Sequence, residues 1–337
     1  MITLKDVAKE CNVSFSTVSK ALKNSSEISP ETIRQIQKKA TEMGYHPNIA
    51  ARTLRTNKAF DIGVIFEDKT GSGLQHQYFA KIISGLQKTA QKYGYEITFT
   101  GRTTPSDSFF DYYNHIKSRN FDGVTILSAD FTKKDIQKLV HSEIPTVTLD
   151  YFYDRNHTYI MSDNDKGMRE LVEYAISMGH KKIALIHGEN TFVTKERTNI
   201  FLEIIKDHGI SIPSEYLVEA MYHDPKASEI ATKYLLSLDD KPTCIFYPDD
   251  YSALGGIQVL NKLNLTPGKD ISIAGYDGIM LTSLLVPPLT TYEQDGETIG
   301  KLMVENLINK IENNNDVNCQ RILVTGHLLK GGSIAKI

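Results

Sequence analysis

The chain has 337 residues, more than one average domain, and its 40% hydrophobic and 23% charged residues are ordinary for a globular protein. No apolar run is long enough to span a bilayer, and the N-terminus lacks the apolar segment of a signal peptide, so a cytoplasmic protein with no membrane partner is expected. The three cysteines lack metal-ligand spacing, and we predict reduced thiols with no metal and no cofactor.

The net charge of −3 conceals an asymmetry between the two parts of the chain. Residues 1–60 contain ten lysines and arginines against five acidic residues, whereas residues 61–337 contain 28 against 36. A small basic segment on an acidic body is a frequent property of proteins that bind nucleic acid.

The opening residues predict three short helices. Thr3 is typical of a helix start, and Ser14 is a suitable N-cap for a second helix that runs to about Leu22. A third helix begins after Ser29 and ends at Gly44. Two short helices joined by a tight turn and braced by a third predict a helix-turn-helix, whose second helix enters the major groove.

The outer face of the second helix separates this motif from a generic three-helix bundle, which is the alternative. Val18 and Ala21 face inward, and the outward side chains are an aromatic, two hydroxyls and a cation: Phe15, Ser16, Ser19 and Lys20. Hydroxyls reach base edges or phosphates, an aromatic ring packs on a thymine methyl, and an ammonium group bonds guanine or phosphate. The pattern therefore favours DNA binding.

Residues 3–55 closely resemble the DNA-binding headpiece of the LacI/GalR family of bacterial transcription regulators, through DVA, VS, TVS, GY, PN and AR in order and at family spacing. The resemblance implies that Phe15, Ser16 and Lys20 read bases. It also implies phosphate-facing or supporting roles for Thr3, Ser14, Thr17, Ser19, Thr32, Tyr45 and Asn48. Lys20 and Lys23, both predicted DNA contacts, stand where many members have Arg and Asn. Because lysine cannot form arginine's bidentate fork, the operator bases opposite Lys20 stay open.

The segment 47–60, PNIAARTLRTNKAF, predicts a helix of about two turns that is marginal alone in water. We expect it to order when two copies pair in the minor groove, with Leu54 as a wedge at the central base step and Arg52 and Arg55 on phosphates. The residues predicted to contact DNA here are Asn48, Ala51, Arg52, Leu54 and Arg55. The alternative is a linker helix packed on the body.

From residue 61 onward, apolar runs alternate with helical segments. The runs are DIGVIF, EITFT, GVTIL and PTVTL, then KIALIHG, a strand near 217–221, TCIFY and DISIAGY. The helices are predicted near 79–95, 108–119, 132–141, 164–179, 195–208, 226–237 and 250–263. Such alternation predicts parallel sheets covered on both faces, so two doubly wound α/β lobes are expected.

The body also resembles the LacI/GalR family, through FDGVTIL, SDNDKGMRELVEYAISMGHKKIALIHG, YSALGGIQVL, IAGYDG and PPLTTYEQDGETIGKLMVENLI. The resemblance implies the two-lobed fold of periplasmic sugar-binding proteins, with crossovers near 158–162, 288–292 and 320–325. The predicted domains are a headpiece at 1–46, a hinge at 47–60 and an effector-binding and dimerisation domain at 61–337. Its N-lobe is about 61–160 and 290–322, and its C-lobe about 161–289 and 323–337.

Candidate effector-binding residues lie at or near the ends of strands. Open α/β sheets bind small molecules beyond the carboxyl ends of their strands. The predicted effector-binding residues are Asp68, Tyr78, Asp150, Phe192, Arg197, Asp249, Asp277 and Gln294. Carboxylates with an arginine can bond vicinal hydroxyls, and an aromatic such as Tyr78, Phe79, Phe192 or Tyr222 can stack on a pyranose. The set favours a neutral sugar. Asp249 replaces the family's usual Asn, and RTNIF lacks the glycine of the usual RxxGF, so effector identity stays open.

The sequence also bears on other classes of protein and of effector. It has no nucleophile elbow, P-loop or metal motif, so an enzyme is not predicted. An exported, non-regulatory sugar-binding protein is disfavoured by the headpiece. A nucleobase or nucleoside and a phosphorylated sugar are the alternative effectors. We predict a homodimeric repressor of a carbohydrate-utilisation operon that binds a pseudo-palindromic, double-stranded operator.

Overall fold

The computed structural model describes residues 2–22, 24–45, 58–67, 73–101, 110–153, 157–313 and 320–337. The chain divides into two compact units, Met1–Phe60 and Asp61–Ile337. Across the described ranges, no helix combines the length and the apolar character needed to cross a membrane.

The first unit contains the three predicted helices, α1 (Leu4–Glu10), α2 (Phe15–Ala21) and α3 (Pro30–Glu42). Each begins at a side-chain cap. Thr3 forms a capping box with Asp6, and the Ser14 and Ser29 hydroxyls accept backbone N–H groups of the next turn. A shared core holds the helices together, consisting of Val7, Ala8, Val18, Ala21, Ile36 and Ala40. The helix-turn-helix expected from the sequence is confirmed.

The second unit begins with a six-stranded sheet in the order β11–β5–β4–β3–β1–β2, in which all pairs are parallel. Its strands are β1 (Asp61–Phe66), β2 (Glu96–Thr100), β3 (Gly123–Ser128), β4 (Thr146–Leu149), β5 (Tyr159–Ser162) and β11 (Arg321–Val324). Its helices are α4 (Gln77–Lys92), α5 (Tyr112–Arg119), α6 (Lys134–Val140) and α11 (Gly296–Glu312). We call this the N-lobe.

A second six-stranded sheet follows the order β12–β10–β9–β8–β6–β7, with only the β10–β12 pair antiparallel. Its strands are β6 (Ile183–His187), β7 (Leu217–Glu219), β8 (Cys244–Phe246), β9 (Ser272–Asp277), β10 (Thr290–Glu293) and β12 (His327–Leu329). Its helices are α7 (Asn164–Ser177), α8 (Phe192–Asp207), α9 (Pro225–Ser237) and α10 (Asp250–Lys262). We call this the C-lobe. The predicted α/β class with two doubly wound lobes is confirmed.

The chain passes between the sheets after β5, after β10 and between β11 and β12. The second passage lies later than the predicted lobe boundary at 290, because β10 pairs with β9 through Thr290 and Ala274 and so belongs to the C-lobe sheet. The third also lies later than predicted, since residues 323–324 still pair with β5 in the N-lobe.

Two helices start away from their predicted positions. The α5 helix begins at Tyr112, because Asp111 accepts the N–H of Asn114 and caps it there. The α8 helix begins three residues earlier than the predicted 195, because Thr191 accepts the N–H of Thr194. This earlier start places Phe192 at the first position of α8 and Arg197 in its second turn.

Candidate functional site

The outward face of α2 carries the predicted base-reading side chains. Phe15, Ser16 and Lys20 are exposed, and Phe15 leaves 44% of its surface open. An exposed aromatic on a capped, seven-residue helix gains nothing from the core beneath it. This face presents apolar, hydroxyl and cationic groups side by side, a combination that can read the major groove.

Lys20 is not isolated on this face. Its ammonium group forms an ion pair with Glu27, although both side chains remain about half exposed or more. This partner was not predicted from the sequence, because Glu27 lies beyond the end of α2. Exposed ion pairs contribute little free energy, so the pair can yield to a phosphate or base.

Several predicted phosphate contacts have local hydrogen bonds that support helix starts. Ser14 Oγ lies 2.7 Å from Ser16 Oγ and 2.8 Å from Thr17 Oγ1, and Thr32 Oγ1 lies 2.8 Å from Ser29 Oγ. Thr3 belongs to the α1 capping box. The remaining two, Ser19 and Tyr45, are half-buried, and Tyr45 packs against the headpiece core. These groups can support the helices and still donate to a phosphate.

Some predicted contacts lie outside the described residues. They are Lys23, Asn48, Ala51, Arg52, Leu54 and Arg55 among the DNA contacts, and Asp68 among the effector ligands.

In the second unit, five predicted effector residues converge between the lobes. Arg197 Nη2 donates to Gln294 Oε1 at 3.4 Å, and Gln294 Nε2 donates to Asp277 Oδ1 at 2.6 Å. Burial of the Tyr78 hydroxyl raises its pKa, and the charges of Asp150, Asp277 and Arg197 all act on it. Tyr78 and Asp150 come from the N-lobe and the other three from the C-lobe side, so the site is shared by both lobes.

Arg197 is held by contacts on each of its three guanidinium nitrogens, since Nη1 also donates to the Pro248 carbonyl at 3.5 Å. Its Nε donates to Asn164 Oδ1 at 2.8 Å, and its central carbon lies 3.7 Å from the centroid of the Tyr276 ring. Burial acts to lower the pKa of Arg197, but the neighbouring Tyr276, Tyr222, Asp277 and Asp150 raise it overall. The arginine is therefore a fixed cation in the cleft.

The two carboxyl groups at the centre of the cleft are poorly solvated. Burial is the main cause that raises the pKa of Asp150 to about 7, and Arg197 opposes it. Burial and the charge of Asp249 also raise the pKa of Asp277. Asp150 Oδ1 is buried and accepts no hydrogen bond in the described protein. A ligand hydroxyl could supply that donor.

Both acids also have unusual backbone conformations. Asp150 has a φ of 54° and Asp277 a φ of 109°, in the region that L-residues seldom occupy. Such strain costs about 1–3 kcal/mol per residue and persists mostly where function requires the conformation. The two values support a functional interpretation of these strand ends.

The environment of Asp249 differs from that expected of a carboxylate that is free to bind the effector. It caps α10 by accepting the Ser252 N–H on Oδ1 at 2.7 Å, while Oδ2 accepts the His223 N–H at 2.7 Å and the Ser252 hydroxyl at 2.9 Å. Both oxygens are therefore engaged by the protein. This carboxylate positions the loop and helix beside the cleft.

Phe192 lies at the edge of the cleft. Its ring centroid is 6.4 Å from that of Tyr151, which follows Asp150 in the N-lobe, and 38% of its surface is exposed. Sequence reasoning missed Tyr151 here, as it missed Asn164 and Tyr276 around Arg197. Asn164 and Tyr276 both lie in segments that carried the family resemblance, which was the only available signal.

Comparison with known proteins agrees with this architecture. Residues 3–48 match the model described as "Bacterial regulatory proteins, lacI family". Residues 59–331 match "Periplasmic binding proteins and sugar binding domain of LacI family". The chain belongs to the LacI family.

Among relatives of this LacI-family chain, "Probable HTH-type transcriptional repressor ExuR" of Bacillus subtilis is 32% identical over 92% of both chains. The "HTH-type transcriptional repressor PurR" of Pasteurella multocida is 29% identical over 97% of this chain and 96% of that protein. A lac repressor dimer bound to operator and the anti-inducer ONPF is 23% identical over 99% of each chain, with a TM-score of 0.81, and so shares the fold.

Proposed function

We propose that this LacI-family regulator is a cytoplasmic, sequence-specific DNA-binding repressor of a carbohydrate-utilisation operon, and that it acts through binding and not through catalysis. The observation that carries the proposal is the exposed face of α2, which bears Phe15, Ser16 and Lys20. The same chain also contains a cleft between two lobes. The repressor names of the Bacillus subtilis and Pasteurella multocida relatives support it.

A division into three functional segments follows from this proposal. Residues 1–46 bind the operator, residues 47–60 form the hinge, and residues 61–337 bind effector and dimerise. In this scheme Leu54 enters the central base step and Arg52 and Arg55 contact flanking phosphates. Leu54→Ala should lower operator affinity and DNA bending while the melting of the body stays unchanged; a changed melting temperature would favour a linker helix packed on the body.

The proposed assembly is a homodimer. Residues 280–286, after β9, expose large apolar side chains: Met280 at 72%, Leu284 at 68% and Val286 at 96%. A cluster of exposed apolar residues marks interaction surfaces in soluble proteins. A two-fold dimer would also place two headpieces on a pseudo-palindromic operator.

The proposed effector is a neutral sugar bound between the lobes. Asp150 and Asp277 accept hydrogen bonds from the sugar hydroxyls, and Arg197 and Gln294 donate hydrogen bonds to them. Tyr78 and Phe192 border the site. One buried arginine beside two acids suits hydroxyls better than a phosphate, which would need more cations. A nucleobase or nucleoside would rely on stacking and amide contacts instead.

Footprinting on genomic fragments tests the proposal. We expect a protected inverted repeat at moderate salt, and protection without sequence preference would contradict it. A thermal-shift screen of sugars, sugar phosphates and nucleobases then identifies the effector class. Stabilisation by a sugar phosphate or a nucleobase alone would replace the neutral-sugar assignment.

A further inference from the structure

Asn164 connects the arginine of the cleft to a neighbouring acid. It is the first residue of α7 and is 2% exposed. Its amide nitrogen, Nδ2, donates to Glu196 Oε2 at 2.6 Å, and its amide oxygen, Oδ1, accepts a hydrogen bond from Arg197 Nε at 2.8 Å. Glu196 and Arg197 follow each other on α8. One buried amide therefore joins two neighbouring side chains of opposite charge.

Only one orientation of this amide satisfies both charged groups. A carboxylate can only accept hydrogen bonds, and a guanidinium group can only donate them. If the Asn164 amide were turned end for end, its NH2 group would face the N–H of Arg197 and its oxygen would face the carboxylate of Glu196. Two hydrogen bonds to charged groups, which are stronger than those between neutral groups, would then be lost. Glu196 therefore sets the amide orientation that Arg197 requires.

The bond to Asn164 is the shortest of those that the described residues give the Arg197 guanidinium. Nη2 donates to Gln294 Oε1 at 3.4 Å, and Nη1 donates to the Pro248 carbonyl at 3.5 Å. Because hydrogen bonds weaken with length, the Asn164 bond contributes most to the direction in which the two Nη groups point. Each Nη group carries a second N–H, which in the proposed site donates to the effector.

A second arginine contacts the other oxygen of the Glu196 carboxylate. Arg321 is the first residue of β11, and its Nη2 lies 3.5 Å from Glu196 Oε1. This contact leaves Oε2 directed at Asn164. Because β11 belongs to the N-lobe sheet, Glu196 on α8 of the C-lobe is held from both lobes. The Arg321 side chain is 53% exposed, so its ion pair contributes less than the buried amide bond.

We propose that Glu196 is a positioning residue for Arg197, and that it acts by fixing the orientation of the Asn164 amide. In this scheme Glu196 does not touch the effector; it determines where the remaining N–H groups of the arginine point. The positioning itself does not depend on the proposed function. Its consequence for effector affinity rests on the proposed function.

Nuclear magnetic resonance of the full chain with isotopically labelled arginine tests the positioning without effector. The Nε–H signal of Arg197, identified by its loss in Arg197→Lys, should exchange slowly with water because this group is buried and bonded. Glu196→Ala removes the acceptor of the Asn164 NH2 group and should make this exchange about ten-fold faster. Glu196→Gln keeps a carbonyl oxygen for Asn164 and should accelerate it by less than about three-fold.

Glu203→Ala is the matched control, because Glu203 lies on the same helix and contacts Arg169 at 3.8 Å instead. It should leave the Arg197 signal unchanged. Equal exchange in Glu196→Ala and the wild type would overturn the proposal. Equal acceleration in Glu196→Ala and Glu196→Gln would also overturn it, since these variants differ in the acceptor that they offer to Asn164.

Alanine is a strong helix former, so Glu196→Ala should leave α8 intact. If this variant does not fold, Asn164→Ala provides the second test. It removes the bond to Arg197 Nε itself, and the Arg197 signal should then exchange at least about ten-fold faster than in the wild type. An unchanged signal in Asn164→Ala would equally contradict the proposal.

Effector titrations separate this inference from the proposed function. With a sugar identified in the thermal-shift screen, Glu196→Ala should raise the dissociation constant about ten-fold, and Glu196→Gln by less than about three-fold. If no sugar binds, the proposed effector class is refuted, but the exchange measurements still decide whether Glu196 positions Arg197. Faster exchange in Glu196→Ala with an unchanged sugar affinity would refute the contribution of this positioning to effector binding.

Discussion

In the proposed effector site, Asp150 and Asp277 are the residues expected to decide what the cleft can bind. Each follows or ends a strand, each has a positive φ, and each has a raised pKa because its carboxyl group is buried. A carboxyl group with a raised pKa destabilises the fold once it ionises, unless a donor compensates it. The proposed sugar hydroxyls would provide that compensation, so ligand binding and carboxylate ionisation should favour each other.

Asp150→Asn tests this cost of ionisation. The folded pKa of about 7 exceeds the ordinary 3.8, so the free energy of unfolding of the wild type should fall as pH rises between these values. The variant lacks the charge, so its free energy of unfolding minus that of the wild type should be larger at pH 8 than at pH 4. The increase should be about 2–4 kcal/mol.

Urea unfolding of the ligand-free protein at both pH values measures this difference, with Asp239→Asn as a control at an exposed carboxylate. If the difference in the free energy of unfolding between variant and wild type is the same at pH 4 and pH 8, Asp150 ionises without destabilising the fold.

The Lys20–Glu27 ion pair predicts a second residue-scale effect. Glu27 competes with DNA for Lys20, so Glu27→Gln should raise operator affinity by about two- to five-fold. Glu42→Gln is the matched control, because Glu42 pairs with Lys38 on α3, away from the α2 face. Gel-shift titrations at one salt concentration measure both, and an equal gain from both variants would mean that only net charge matters.

At the scale of elements, α4 and α11 pack with their backbones in close contact. A Cβ added at Gly85 would lie 2.2 Å from the Glu297 carbonyl oxygen, and one at Gly300 would lie 2.0 Å from that of Ile82. Only glycine allows this approach. The contact fixes α4 in the N-lobe, and the first turn of α4 carries Tyr78.

Gly85→Ala should therefore destabilise the second unit by about 1–3 kcal/mol through overpacking. Gln87→Ala, on the exposed side of the same helix, should change stability little. Thermal unfolding of the full chain distinguishes them, and an unchanged melting temperature for Gly85→Ala would mean that the helices can separate without cost.

The sequence predicted elements better than it predicted their ends. Apolar runs such as DIGVIF and GVTIL are long enough to specify buried strands, and β1 and β3 occupy them. Side-chain caps determine where α5 and α8 begin. Several hydroxyl residues near the start of α8 could serve as its cap, so the sequence alone does not single out Thr191. The pairing of β10 with β9 is a tertiary contact that local pattern does not encode.

Some residues of the candidate site were predictable from the sequence, and others were not. The strand-end rule located Asp150 and Asp277, because parallel strands bring their carboxyl ends to one edge. It did not distinguish the engaged carboxylate of Asp249, whose three donors come from the chain around it. Nor did it find the ring stack of His76 and His223, which forms only when segments from different lobes meet.

For the whole molecule, the proposed function requires that the occupancy of the cleft change the affinity of the headpieces for DNA. Effector and operator would then be coupled through lobe closure, and each would alter the affinity of the other by the same factor. Because the proposed assembly is a dimer, a modest change in lobe geometry would act on both half-sites at once.

This coupling is tested by measuring the operator affinity of the full chain with and without the identified effector, for the wild type and for Asp277→Ala. We predict that the effector shifts the wild-type dissociation constant by about 5- to 150-fold and leaves the variant unchanged, while both bind operator equally without effector. An equal shift in the variant, or loss of its operator binding without effector, would contradict a regulator controlled through this cleft.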